Sequence, residues 1–600
     1  MYFGGFRDIS VDGAVSGFVA KGTAGGITGG TSMATSLVPG ALYWDGVGLY
    51  ALRDLSVNAP ITAGNQFQSV QLKSERDINL NADITSTYVL AANAARNINV
   101  TACTLEGGAG YTLGKTLPAG LYLFAGQRAL TATDNAFGAW VNDGYGGGSN
   151  NIGAIYFNRT SSPTLLKSDT DVIAISGCTN TTNCIPSQRT DFLPANVLLE
   201  SSGGTSGPVA GSVDIGGFHN MTPERWDPVA GAIANSLSAG AHISFNAFGN
   251  LTINETAFNA GGSLQLLAAG GNYGDPIPIS GSTLADYAGI VYFTQPSVLL
   301  TATGNVDIRS GTDGTGASLG AAGGTMPGGG AFTSNRTNQA RPVFNSVSNP
   351  NQVVIRYGSS ANALGGGLTI DGFLNTVLTL QNNDGSAASN LTTSGIDITS
   401  YGDVVVPQHY IRALNGGSTN LVAGGNIGLV GQVKLTDPSP VVQAGFSLTL
   451  NSSADSTGRH LDFLGGTGSL TSGYGTGTPI LLQYDPGWTS WALLNVNGFK
   501  NASIYVFANS VVPTLANFDP NVSLTIGTFS NFWSTIGAFG NVTLENNKLT
   551  GLGNGTASWY DSTSLLVTAG AGGRCRLGWC ASVCAANDDF GWIQSTRFEQ

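Results

Sequence analysis

Charge is scarce in this sequence. Asp, Glu, Lys and Arg make up 10% of its 600 residues, against about 25% in ordinary soluble domains. Helices that face water need Glu, Lys, Arg and Ala on their outer sides, so the shortage argues against helical bundles, coiled coils and helical solenoids. Basic residues are the scarcer sign, with 24 Lys and Arg against 36 Asp and Glu and a net charge of −12. Phosphate backbones require clustered cations, and the sequence has no such cluster, so no nucleic-acid partner is expected. It also has no stretch of 18 apolar residues, so no membrane-spanning helical segment is expected. The four histidines, His219, His242, His409 and His460, are scattered and have no cysteine at zinc spacing. No metal and no cofactor is expected from them. The opening, MYFGGFRDIS, has no basic and apolar leader, and the chain is read as a piece of something longer.

Other features are abundant. Glycine numbers 87, without the three-residue period of collagen. The hydrophobic fraction is 42%, with 26 Phe, 18 Tyr and 9 Trp, enough apolar matter to bury a core. At this length several domains or a repeat array is expected.

The repeats carry most of the information. One short text recurs: Gly or Arg, then Asp or Asn, then apolar–polar–apolar. It gives the candidate core positions Ile9 and Val11, Leu55 and Val57, Ile78 and Leu80, and Ile98 and Val100. Further along it gives Leu251 and Ile253, Val306 and Ile308, Val404 and Val406, Ile427 and Leu429, and Val542 and Leu544. Gly, Asn and Asp tolerate the backbone of a corner, and the triplet is a strand with one face in and one out. Aligned on the Asp/Asn/Ser position, the copies fall at 8, 54, 77 and 97, and again at 403, 426 and 447. The spacing of 20–23 residues, with 46 read as twice 23, predicts one coil per repeat. The fold expected is all-β, a parallel β-helix or solenoid with Gly-rich loop insertions. Inward aliphatic residues would stack along it, and outward Asn, Ser and Thr would form polar ladders. The expected divisions are coils over 1–310, a Gly-rich loop or linker over 311–345, coils over 346–570, and a cysteine-containing tail over 571–600.

This coil text, with its Ala-Ala-Gly and Thr-Ala-Gly connectors, resembles the filamentous haemagglutinin family of large Gram-negative exoproteins of the two-partner secretion type. Gly262 to Gly270 (GSLQLLAAG) and Val298 to Ile308 (VLLTATGNVDI) carry the likeness most fully. The resemblance implies a right-handed β-helix in a secreted or cell-surface protein associated with the outer membrane. It also implies a structural and adhesive role in attachment, aggregation or biofilm, without catalysis. The partners implied are a host or neighbouring cell surface, glycans among its ligands, and an outer-membrane secretion partner for the full-length product.

Chemical motifs are few. Ala109 to Thr116 fits the loose phosphate-loop pattern, but Pro118, Ala119 and Gly120 follow where a helix must begin. Cys178 and Cys184, six residues apart in a polar loop, are disulfide candidates. Cys575, Cys580 and Cys584 have gaps that zinc sites do not favour. The alternative class is a β-helical carbohydrate-active enzyme, either a polysaccharide lyase or a glycoside hydrolase. Such an enzyme needs carboxylates converging on one face, for which Asp371 with Asp384, and Asp588 with Asp589, are the nearest candidates. Each is read as a turn residue. The run from Phe218 to Asp227 (FHNMTPERWD) mixes the groups a sugar site uses.

Overall fold

The computed structural model describes residues 2–16, 45–64, 68–108, 119–125, 155–158, 163–176, 195–200, 209–218, 221–247, 251–268, 291–310, 352–373, 375–400, 403–423, 433–452, 479–499, 502–527, 534–538, 542–546, 548–552, 565–569 and 575–577. They form two compact units, one built on Met1–Gln295 and one on Pro296–Arg309 with Ala331–Gln600. Both are parallel β-solenoids.

In the first unit the coils lay a strand on a first sheet, turn, and lay another on a second. On the first sheet Tyr2–Val11 pairs with Asp45–Val57, which pairs with Gln68–Ser74 and Asp77–Leu80, and these with Val89–Ala94 and Ile98–Val100. The ladder continues through Gly120–Ala125, Asp171–Ser176, Val213–Phe218, Ile243–Ala247 and Leu264–Ala268. The second sheet stacks Ile61–Ala63, Ile84–Ser86, Thr104–Gly107, Leu165–Ser168, Ala195–Glu200, Met221–Asp227 and Leu251–Ile253 in the same sense. Later coils add a further strand, with Ser236–Ala239 against Ala257–Ala260.

The second unit repeats the scheme with three strands per coil where it is most regular. Ile396–Ser400, Thr419–Ala423, Ser447–Asn451 and Leu493–Phe499 follow one another on its first sheet. Val404–Val406 and Val433–Leu435 lie on its second sheet. The third sheet takes Asn390–Thr393, Tyr410–Ala413, Val441–Ala444, Pro479–Tyr484, Ala502–Phe507, Val542–Leu544 and Cys575–Leu577. The parallel pairing therefore runs past residue 570, where the coil text stops being recognisable.

The interior follows from the alternation. Leu55, Val57, Ile78, Leu80, Ile98, Val100, Leu251, Ile253, Val306, Ile308, Val404 and Val406 have no exposed surface, and Leu544 is buried. Each such side chain stabilises the coil by about 1.5–3 kcal/mol relative to exposure. Ile9 and Val11 stand opposite Leu55 and Val57 but are half-buried, because their strand has one neighbour among the described residues. Aromatic pairs join this interior, with Phe245 edge-on to Phe258 at 6.2 Å in the first unit and Tyr484 against Trp491 at 4.2 Å in the second. Ile427, Leu429, the Val542 side chain, Cys178, Cys184, Asp588, Asp589 and all of 311–345 lie outside the described residues.

Two expectations about spacing are corrected. Asp8 stands directly opposite Asp54, so the 46-residue interval is one coil with an insertion, not two coils. The copies at 403 and 447 do not share a face. Val404 pairs with Val433 on the second sheet, while Leu448 pairs with Thr419 on the first. The physical reason is that every corner of a coil needs the same turn followed by the same strand. The text therefore marks a corner without saying which one, and Leu251 and Val542 carry it onto other sheets as well.

Candidate functional site

The charged residues of the repeat text form the most regular side-chain arrangement on the first unit. Arg53 donates through Nε and Nη2 to the two carboxylate oxygens of Asp8, both at 2.9 Å. Arg76 grips Asp54 in the same two-toothed way, with Nε at 2.7 Å, and Arg96 grips Asp77, again with Nε at 2.7 Å. Each arginine thus reaches back one coil, and the planar fork matches the carboxylate. Beside this row runs an amide ladder. Asn79 donates to Ser56, Asn81 to Asn58 at 2.8 Å, Asn99 to Asn79 at 2.9 Å, and the Thr101 hydroxyl to Asn81 at 2.9 Å. Sequence reasoning expected polar ladders but read Arg only as an alternative to Gly at a corner. The signal available was that Arg precedes Asp in the copies at 7, 53 and 76.

The second unit carries a different group on the outer face of its first sheet. Asp307 lies opposite Thr369, Arg309 opposite Asp371, and Thr369 opposite Asp397. Arg309 donates from Nε to Asp307 at 2.7 Å. Burial works against the Arg309 charge, but Asp307, Asp371 and Asp397 together outweigh it and raise its pKa. Asn420 donates to Asp397 at 2.7 Å. Asp371 is therefore a strand residue facing an arginine, and its reading as a turn residue is corrected. Asp384 is a turn residue. Its carboxylate accepts from the Ser386 N–H at 2.9 Å and the Ser386 hydroxyl at 2.6 Å, and these bonds hold its pKa below the usual carboxylate value.

The run from Phe218 to Asp227 does not gather its groups. Strand alternation sends Met221 and Arg225 inward, where Arg225 Nε donates to the Ser236 carbonyl at 2.9 Å, and leaves Thr222 and Glu224 on the other side. Trp226 and Asp227 pair antiparallel with Ala232–Ile233, and Val229 at the tip is 74% exposed. His219 and Asn220 lie outside the described residues. One coil further on sits Glu255, 1% exposed. Burial pushes its pKa up to about 8, with the Glu224 charge adding to the rise and the Glu255 and Asn254 backbone N–H groups opposing it.

His409 and Tyr410 begin a polar and aromatic patch on the third sheet of the second unit. His409 Nδ1 is 2.9 Å from Asp437, and its ring stands edge-on to Tyr410 at 4.4 Å. The Arg412 guanidinium lies over the Tyr410 ring at 4.1 Å. The Gln443 amide donates to Asp485 at 3.2 Å, and Asp485 also accepts from the Gly416 N–H at 2.9 Å. Gly416 has φ +80, and a Cβ there would come within 2.7 Å of the Trp488 ring, so only glycine fits beneath that tryptophan. Among the described residues, no group of three or more His, Cys, Asp or Glu is placed to hold a metal ion, and no helix is long and apolar enough to cross a membrane.

Compared with family models, curated proteins and solved structures, the chain matches none of them.

Proposed function

We propose that this chain is a non-catalytic, structural and adhesive β-solenoid of a secreted or surface-displayed exoprotein, acting in attachment, aggregation or biofilm. Its partners on this reading are a host or neighbouring cell surface and its glycans, with an outer-membrane secretion partner for the full-length product. The observation that carries the reading is the use made of charge. In the first unit the arginines and aspartates of the coil text bond one coil to the next instead of converging on a point. A repeated, self-bonded surface presents many equivalent contacts, which suits multivalent attachment. The test is saturation binding of the purified chain to epithelial cells and to a glycan array, with released sugar ends assayed in parallel. Saturable binding without release supports the reading. Sugar release above background refutes it.

A second reading rests on the three carboxylates around Arg309, because carboxylates on one sheet face are what a β-helical glycoside hydrolase or lyase requires. On that reading Asp397→Asn and Asp371→Asn each abolish sugar release.

A further inference from the structure

Arg412 is bonded differently from the other arginines. Those whose side chains are described each hold an oxygen: Asp8, Asp54 or Asp77 in the coil ladder, the Ser236 carbonyl for Arg225, Asp307 for Arg309, and the Gln381 amide oxygen for Arg356. Among the described residues, the Arg412 side chain has no hydrogen-bond partner and no carboxylate within ion-pair distance. Its Nε is buried without a partner, and its guanidinium rests on the Tyr410 ring. A desolvated donor left unmade costs free energy, and a guanidinium stacked on an aromatic ring keeps its in-plane N–H groups free for a planar anion.

The surroundings restrict what that anion belongs to. Gln443 is the register neighbour of Arg412 in the next coil, and its Nε2 is committed to Asp485. Its Oε1 is thereby left as an acceptor, with no donor among the described residues. Asp485 is 1% exposed and fixes the Gly416 turn under the half-buried Trp488 ring. The patch thus offers a forked cation seated on Tyr410, an amide acceptor and the Trp488 ring. Those are groups for a carboxylate, a hydroxyl and the apolar face of a sugar ring.

We propose that Tyr410, Arg412, Gln443 and Trp488 form a binding site for an acidic sugar, with the sugar carboxylate on Arg412. The inference deepens the surface-binding reading above and rests on it. The carboxylate takes the outer Nη N–H groups of the guanidinium, Gln443 Oε1 accepts from a ring hydroxyl, and the Trp488 ring covers the sugar's apolar face.

The experiment is calorimetric titration of the full chain with a galacturonate tetramer and with its fully methyl-esterified, neutral counterpart. The intact chain binds the acid and binds the ester at least tenfold more weakly. Arg412→Gln lowers affinity for the acid at least tenfold, and Arg412→Lys lowers it too, because an ammonium keeps the charge and loses the fork. Binding of the acid weakens as salt is raised. The thermal midpoint of each variant is measured beside the titrations, and Arg412→Lys, which keeps a cation for the Tyr410 ring, separates lost binding from lost folding. Equal binding of acid and ester, no binding of the acid, or unchanged binding in Arg412→Gln overturns the site. If cells are still bound in any of those cases, this inference fails and the adhesive reading stands. Binding of the acid without binding of any cell surface refutes the adhesive reading alone.

Discussion

Replacing Glu255 by Gln should flatten the dependence of stability on pH. Glu255 is 1% exposed, and its pKa is pushed from 4.5 to about 8, chiefly by burial. A folded-state pKa above the unfolded value means that the folded chain holds the proton more tightly. The stability that this proton contributes is complete below about pH 4.5 and is lost as pH rises through about 8. At about 1.4 kcal/mol for each unit, the full swing is about 5 kcal/mol, of which about 3 kcal/mol is already gone at pH 7. Glutamine has the same shape and no proton to lose, so the difference between the two proteins isolates this one group. The assay is urea unfolding of the intact chain and of Glu255→Gln, followed by tryptophan fluorescence between pH 4.5 and 8.5. The intact protein should lose stability relative to the variant steadily over that range, and the variant should be the more stable at the alkaline end. Parallel curves would falsify the argument, because they would mean that the carboxyl finds a partner or water when it ionises.

Three further outcomes are expected. In a double-mutant cycle of Asp54→Ala and Arg76→Ala, both about a quarter exposed, the coupling should be about 0.5–1 kcal/mol and should shrink in high salt, while a value of zero would mean that the fork is ornamental. Ile98→Ala, at a position with no exposed surface, should cost about 2–5 kcal/mol by urea unfolding, and a loss under 1 kcal/mol would contradict the stacked-core description. Gly416→Ala should lower the thermal midpoint and quench or shift Trp488 fluorescence, since the new methyl meets both an unfavourable backbone angle and the indole; an unchanged emission spectrum would show that the ring does not lie there.

The solenoid was legible because its signal is local. A turn residue followed by Ile-x-Val says strand wherever it occurs, and Ile78, Leu80, Ile98 and Val100 are buried where that text places them. The assignment of copies to faces was not legible. Asp403 and Ser447 carry similar text yet lie on different sheets, because coil length varies through insertions that the pattern does not count. Side-chain partners were harder still to read. Asp371 looked like Asp384 in sequence, but only pairing across coils shows that one faces Arg309 and the other closes its own turn on Ser386. Arg412 and Tyr410 are two apart on one strand and so share a face, a cue that composition alone does not raise.

The arginine ladder also gives the coil stack a direction. Each arginine holds the aspartate one coil nearer the N-terminus, and each aspartate is held from the C-terminal side. Removing residues 54–76 would bring Arg53 directly before Asp77, leaving Arg53 still facing Asp8 and Arg96 still facing Asp77. Duplicating the same 23 residues would likewise add one rung and break none. This stretch of chain can therefore grow or shrink by whole coils with every charge already matched, so that its reach is a variable inherited separately from its chemistry.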